Sequence, residues 1–234
     1  TVYHEDEESR QIWEEEIGIP RDKVISCGAD DNFWSMGDVG PCGPCTEIFY
    51  DHGADIAGGP PGSEQADGDR FTEIWNLVFM QYQMHADGSR TELESMGLDT
   101  GMGLERLSAV LQGVHNNFDC DLFTPIIKAV QQVSSDIDLV ASRVIADHIR
   151  SAVFLIDDQV YPSNEGRGYV LRRIIRRAMA FAYRSGVSEP FFYKLAPTVG
   201  DIMGTAYPHI IENMDVISQV IRDEEHRFHA TIQQ

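Results

Sequence analysis

The segment Asp99-Thr100-Gly101-Met102-Gly103-Leu104-Glu105-Arg106 brings together a carboxylate, two glycines and a guanidinium within eight residues. Glycines let a backbone approach a ligand closely, and a helix starting beyond them turns N–H groups toward an anion. Arg106, on the first turn of such a helix, adds a planar donor set matched to phosphate. The pattern reads as a glycine-paired turn that opens a helix. It is not a dinucleotide-binding fingerprint, because Arg106 stands where the last glycine belongs and no buried parallel strand leads into it. Taken alone, an ordinary helix start carrying a surface arginine is the commoner explanation.

Four other groupings carry candidate chemistry. Cys42-Gly43-Pro44-Cys45, with His52 seven residues beyond, has the look of half a zinc site. No second cysteine pair follows, so buried or loop-shaping thiols are the reading preferred to a metal. Trp34 and Asn76 are a large ring and a carboxamide amid hydrophobic neighbours; singly, each suits core packing or a strand-edge hydrogen bond. Glu47 and Asp51 lie on or beside one strand and suit solvent equally well. Ser163-Asn164-Glu165-Gly166-Arg167-Gly168 is a polar loop that suits a helix cap, and it immediately precedes an arginine-rich stretch.

The elements needed to position these groups divide the chain in two. Up to about residue 103 the pattern is strands and loops. A short acidic helix is expected over 5–17, a fixed Gly/Pro/Cys loop over 37–44, and a strand over 46–50. The strongest strand candidate is 71–84, buried on both faces, with an antiparallel return at 91–93. After residue 103 the period becomes helical, with helices expected over 104–112, 122–133, 142–156, 168–184, 191–203 and 210–231. In the fourth of these, Val170, Leu171, Ile174, Ile175, Ala178 and Phe181 recur at core spacing, and Arg172, Arg173, Arg176 and Arg177 take the positions between them. The expected domains are 1–112 and 113–234.

Composition bounds the rest. The 234 residues are 42% hydrophobic and 24% charged, which excludes wholesale disorder. No apolar run reaches the ~18 residues of a membrane span, so no membrane partner is expected. Four cysteines point to a reducing cytoplasm rather than a disulfide scaffold. With 18 basic and 38 acidic residues the net charge is −20, which argues against a general nucleic-acid binder. Yet residues 143–184 hold eight arginines against four acids, a basic island in an acidic chain. The opening Thr1-Val2-Tyr3 reads as a chain entered within a strand, and a piece of a longer protein is expected.

Together these segments resemble the alanyl-tRNA synthetase family of class II aminoacyl-tRNA synthetases. The resemblance rests on 31–38, 40–53, 73–76, 99–106, 143–150 and 162–177, in the family's order and over nearly the whole chain. It implies an α+β fold: the C-terminal part of an antiparallel-sheet catalytic domain, then an all-helical tRNA-recognition region. The implied activity joins alanine to ATP, used with Mg2+, as alanyl-adenylate, and passes alanine to the 3′ end of tRNA(Ala). Arg106 would bind the ATP γ-phosphate, with Gly101 and Gly103 beneath the nucleotide. Asp99 would pair with the alanine ammonium, Asn76 would fix the amino acid, and Trp34 would wall a methyl-sized pocket. Asn164 would read the G·U pair of the acceptor stem, with Arg172, Arg173, Arg176 and Arg177 near phosphates.

Departures from the family pattern are part of the same reading. The family's first two motifs and its zinc-bearing editing domain are not found in these residues, so the segment alone is expected to be nearly inactive. A His-x-x-His motif proposed to bind zinc in some members is broken here to His52-Gly53-Ala54-Asp55, which further weakens a zinc site at Cys42, Cys45 and His52. A non-catalytic RNA-binding module and a structural zinc-bound domain are the competing expectations.

Overall fold

A computed structural model describes residues 1–232, and they form two units, 1–116 and 117–232. The first unit is built on a six-stranded sheet. Its strands are β1 (Val2–Tyr3), β2 (Ser26–Cys27), β3 (Phe33–Ser35), β4 (Gly40–Asp51), β5 (Phe71–Met84) and β6 (Arg90–Met102). The order is β2-β1-β4-β5-β6, with β3 also paired to β4; only β1 and β2 run parallel. Short helices α1 (Glu7–Gln11) and α2 (Ala29–Asn32) flank the sheet, and α3 (Leu104–Leu111) follows β6. Helix α1 continues through a wider π turn to Glu16, from which the Trp13 indole N–H reaches Thr46 Oγ1 on β4 at 2.8 Å.

Two strands are longer than their residues suggest. The expected loop at 37–44 ends early, because Gly40 already belongs to β4 and the strand runs through Cys42-Gly43-Pro44-Cys45. Glycine and proline normally interrupt a ladder. Here a register shift between Cys42 and Cys45 absorbs them, and Pro44 pairs with Phe33 of β3. A Cβ on Gly43 would lie 1.9 Å from the Phe79 carbonyl oxygen, so only glycine permits this approach of β4 to β5. Likewise β6 extends to Met102, well past the expected 91–93, and takes in Asp99, Thr100 and Gly101. The expected turn at 99–103 is therefore a strand-to-helix junction. β5 spans 71–84 as expected, but most of its side chains are half-buried rather than buried on both faces. Its turn to β6 closes with His85 N–H to Ser89 O at 2.9 Å around Gly88, whose φ of +81° favours glycine.

The second unit is helical: α4 (Thr124–Val133), α5 (Leu139–Asp157), α6 (Gly166–Arg184), α7 (Ala196–Met203), α8 (Pro208–Glu212) and α9 (Met214–Ile232). Ile126, Ile145, Ile149, Leu171, Ile175, Phe192, Ile217 and Ile221 are fully buried among them. Of the expected α6 core positions, Val170 turns outward and is 54% exposed. No described helix is long and apolar enough to cross a membrane.

Two acidic side chains also lie in this core, Glu224 and Glu225, both fully buried. Glu225 accepts from the backbone N–H groups of Phe191, Phe192 and Tyr193 at 2.8, 2.9 and 3.3 Å. It thereby satisfies donors at the start of the Phe192–Leu195 turn that helix geometry leaves unpaired. Glu225→Ala strands those three donors and is expected to lower the unfolding free energy by about 3 kcal/mol or more. Glu225→Gln, which keeps an acceptor oxygen, should cost less. Urea unfolding of the two variants checks the order, and equal stabilities would refute the role given to the carboxylate.

Candidate functional site

The register of the three long strands assembles the first candidate site. Asn76 of β5 sits opposite Glu47 of β4 on one side and Gly101 of β6 on the other; one step along, Val78 sits opposite Cys45 and Asp99. Side chains alternate along a strand, so residues two apart share a face. Asn76, Glu47, Asp99 and Gly101 therefore lie on one face in two adjacent rows. Trp34 pairs with Gly43, two residues before Cys45 on β4. The register shift at Cys42/Cys45 breaks the alternation there, so pairing alone does not carry the indole onto the face that holds Asn76.

Two features of this face bear on a ligand. Gly101 is exposed on the edge strand β6, and a Cβ built on it would meet no atom within 4 Å, so its absent side chain leaves an open gap on the surface. Beside that gap the Asn76 Oδ1 is buried and has no hydrogen-bond partner among the described residues. A buried acceptor left unpaired is costly, and such groups commonly await a ligand or water. The opposite face holds the strands in place: the Thr100 hydroxyl donates to the Asn76 carbonyl at 3.0 Å and receives the Trp75 indole N–H.

Gly103 and Arg106 form the rim. Gly103 N–H bonds to Ile74 O at 3.2 Å, tying the start of α3 to β5. The N-cap of α3 is Gly103, which has no side chain to bond the first N–H groups of the helix. Arg106 folds back over Gly103, whose Cβ would lie 3.1 Å from the arginine Cδ, and its Nη1 donates to the Glu73 carbonyl and to Glu73 Oε2, each at 3.0 Å. The guanidinium is thus half-exposed and held in orientation.

The half zinc site gains no support from this geometry. Cys42 and Cys45 are buried free thiols, and burial together with the charge of Glu47 pushes the Cys45 thiol up to about 11. Zinc binds thiolates, which that environment disfavours. His52 instead packs edge-on against Tyr50 and His115, and no metal-binding cluster of three His, Cys, Asp or Glu side chains occurs among the described residues.

The helical unit divides the basic island. Arg143 and Arg150 stack over Phe118 and Phe123. Arg172 and Arg176 turn inward to the buried Glu224, their Nε atoms 3.2 and 2.7 Å from its Oε1. Arg167, Arg173, Arg177 and Arg184 remain exposed, and Arg173 lies over the Tyr169 ring. Asn164, also exposed, accepts a hydrogen bond from Arg172 Nη1. Sequence reasoning treated the four central arginines alike. Glu224 went unnoticed because it lies 48 residues beyond Arg176 and reads locally as one more acid on a helix. Glu73, the partner of Arg106, was hidden within an apolar strand.

Burial, then the charge of Glu73, holds the Glu47 carboxyl above its usual value of 4.5. A carboxyl raised on folding contributes stability below the unfolded value, and that contribution is lost as pH rises through the folded one. Glu47→Gln is therefore expected to match the parent near pH 4 and to exceed its thermal midpoint increasingly toward pH 7. Melting curves across that range check this; a gap that widens toward acid refutes it.

Comparison with known proteins supplies a context for these arrangements. The model of the family described as tRNA synthetases class II (A) matches residues 1–234. Alanine–tRNA ligases of Hydrogenovibrio crunogenus and Methylococcus capsulatus are 55% and 56% identical to the whole chain, and that of Magnetococcus marinus is 57% identical over 99% of it. The chain spans 27% of the length of each of these relatives. An antiparallel-dominated sheet followed by helices is an α+β arrangement consistent with that match, and the chain belongs to the class II tRNA synthetases.

Proposed function

We propose that this chain supplies the amino-acid and ATP-binding face of an alanine–tRNA ligase, together with a helical surface that meets the acceptor stem of tRNA(Ala). The observation that carries the first part is the gap over Gly101, bordered by the unpartnered Asn76 Oδ1 and by Asp99 one row away. An α-ammonium brings three donors to that place. Asp99 accepts one as a charge-assisted bond, and Asn76 Oδ1 accepts another, ending the cost of its isolation. The open surface over Gly101 leaves room for the substrate's side chain. Trp34, at the edge of the same strands, would close a methyl-sized pocket.

In this reading the alanine carboxylate attacks the α-phosphorus of ATP, pyrophosphate leaves, and a ribose hydroxyl of tRNA later takes the acyl group as AMP departs. Arg106 meets the γ-phosphate. Its plane is already set by Glu73, so little orientational freedom remains to be lost when the nucleotide binds. Gly103 keeps the backbone low beneath the nucleotide, and the N-terminus of α3 adds a positive dipole end. ATP would bring Mg2+ as part of the substrate. Glu47 and Glu73 offer hard oxygen donors from neighbouring strands, and a cation would relieve the repulsion from Glu73 that adds to burial in raising the Glu47 carboxyl. Because one methylene or hydroxyl changes binding by only ~1–3 kcal/mol, such a pocket separates alanine from glycine or serine poorly.

On the helical side, Arg173, Arg177 and Arg184 stand on one exposed stripe of α6, at roughly 1.5 Å rise per residue. They would meet phosphates along one strand of the acceptor stem, and Asn164 would reach the shallow minor groove at its G·U pair. Arg172 and Arg176, engaged with Glu224, would serve this surface from behind.

Alanine-dependent ATP–pyrophosphate exchange, measured in a ligase of the relatives' full length carrying these residues, tests the reading. Asp99→Ala should lower kcat/KM for alanine by about 10- to 100-fold, the worth of a hydrogen bond to a charged group, with little change in KM for ATP. Arg106→Ala should do the reverse and raise KM for ATP about tenfold or more. If Asp99→Ala leaves alanine kinetics unchanged, the face described here is not the amino-acid site.

A further inference from the structure

We propose that Glu224 is a positioning residue for the carboxamide of Asn164, acting through Arg172. The inference rests on the reading of Asn164 as an RNA contact and adds to it a reason why that side chain is held ready. Glu224 lies on α9 with its side chain only 1% exposed, whereas Asn164 stands exposed in the loop before α6. One guanidinium spans the two: Arg172 places Nε 3.2 Å from Glu224 Oε1 and donates through Nη1 to Asn164 Oδ1. The same carboxylate oxygen accepts from Arg176 Nε at 2.7 Å, and Arg227 Nη1 lies 3.6 Å from the other oxygen.

The loop backbone around Asn164 is fixed independently. Ser163 N–H bonds to Gly168 O at 3.1 Å, and Ser163 Oγ donates to Glu165 O at 2.7 Å. Any Cβ on Gly168 would fall 2.2 Å from the Tyr161 carbonyl oxygen, so loop and helix meet in a contact that only glycine allows. What remains undetermined is the torsion of the Asn164 side chain, and Arg172 sets it. With Oδ1 engaged inward, the Nδ2 amide group and the second Oδ1 lone pair are left for an incoming groove. The flanking Arg173 and Arg177 are exposed for phosphate. Arg172 and Arg176 are four residues apart on α6 and repel one another. Without the buried carboxylate between them, Arg172 would swing toward solvent and release the carboxamide.

This predicts an effect that neither a structural nor a simple electrostatic role would produce. Removing a negative charge from a basic surface strengthens binding to any RNA. Losing the orientation of Asn164 weakens binding only where a base edge is read. The experiment titrates this chain, by fluorescence anisotropy, with an acceptor-stem hairpin carrying a G·U pair and with the same hairpin carrying G·C. Asn164→Ala should abolish a preference of about fivefold, the worth of one hydrogen bond. Glu224→Gln should abolish the same preference while binding the G·C hairpin as tightly as before or more so, and the double variant should lose nothing further. Arg172→Lys keeps the charge but cannot span both partners, and it should behave as Glu224→Gln does; it carries the test if Glu224→Gln does not fold. A preference lost in Asn164→Ala but retained in Glu224→Gln or Arg172→Lys overturns the positioning role alone. A preference untouched by Asn164→Ala overturns the reading of Asn164 and this inference with it.

Discussion

The candidate site in the first unit depends on one register. Asn76 faces the same side as Asp99 and Gly101 because β5 pairs with β4 and β6 in a single alignment, and a slip of one residue would turn its carboxamide to the other face. Two contacts hold that alignment. At Gly43 the backbones of β4 and β5 approach so closely that a side chain has no room. At Thr100 one hydroxyl joins the Asn76 carbonyl to the Trp75 indole across β5 and β6. Neither residue carries chemistry itself. Each excludes alternative pairings, and the buried, unpaired Asn76 Oδ1 is tolerable only because its surroundings are fixed in this way.

The helical unit solves a different problem. A buried carboxylate is costly unless its oxygens are fully engaged. Glu225 is engaged by three backbone N–H groups, whereas Glu224 is compensated by charge. Arg176 donates to its Oε1, the Arg172 guanidinium lies 3.2 Å from that oxygen, and its Oε2 has no hydrogen bond among the described residues but faces Arg227 at 3.6 Å. The first arrangement organises a turn and exposes nothing. The second draws two arginines inward while their neighbours Arg173 and Arg177 stay outside. Burial of one acid therefore sorts an arginine-rich helix into an inner pair and an outer pair, a distinction that helical spacing by itself does not contain.

That sorting marks where residues alone were informative. β5 was legible at 71–84 because a long β-branched and aromatic run between turn residues has few alternatives, and the helices were legible from their 3.6-residue period. The stretch 40–44 was misread as the end of a loop, since glycine and proline usually end a strand. Their place in β4 depends on a partner strand 36 residues away at Phe79. The stretch 99–102 was misread as a turn for the same reason: its glycine faces open space beside Asn76 rather than a bend. Asn76, Asp99 and Arg106 were visible as candidate residue types, but the orphaned oxygen and the Glu73 anchor are properties of assembled strands.

The charge arrangement is compatible with the nucleic-acid surface proposed for this acidic chain. A net charge of −20 repels RNA at long range, yet at physiological ionic strength the Debye length is about 8 Å, so distant acids are largely screened. What an approaching phosphate feels is the local stripe. On α6 that stripe is arginine, and Glu224, packed behind it, is buried and paired with Arg172 and Arg176. The same screening disfavours indiscriminate attachment, because away from this stripe the surface is predominantly acidic. A contact that depends on one short basic face and one oriented carboxamide derives its selectivity from placement rather than from total charge.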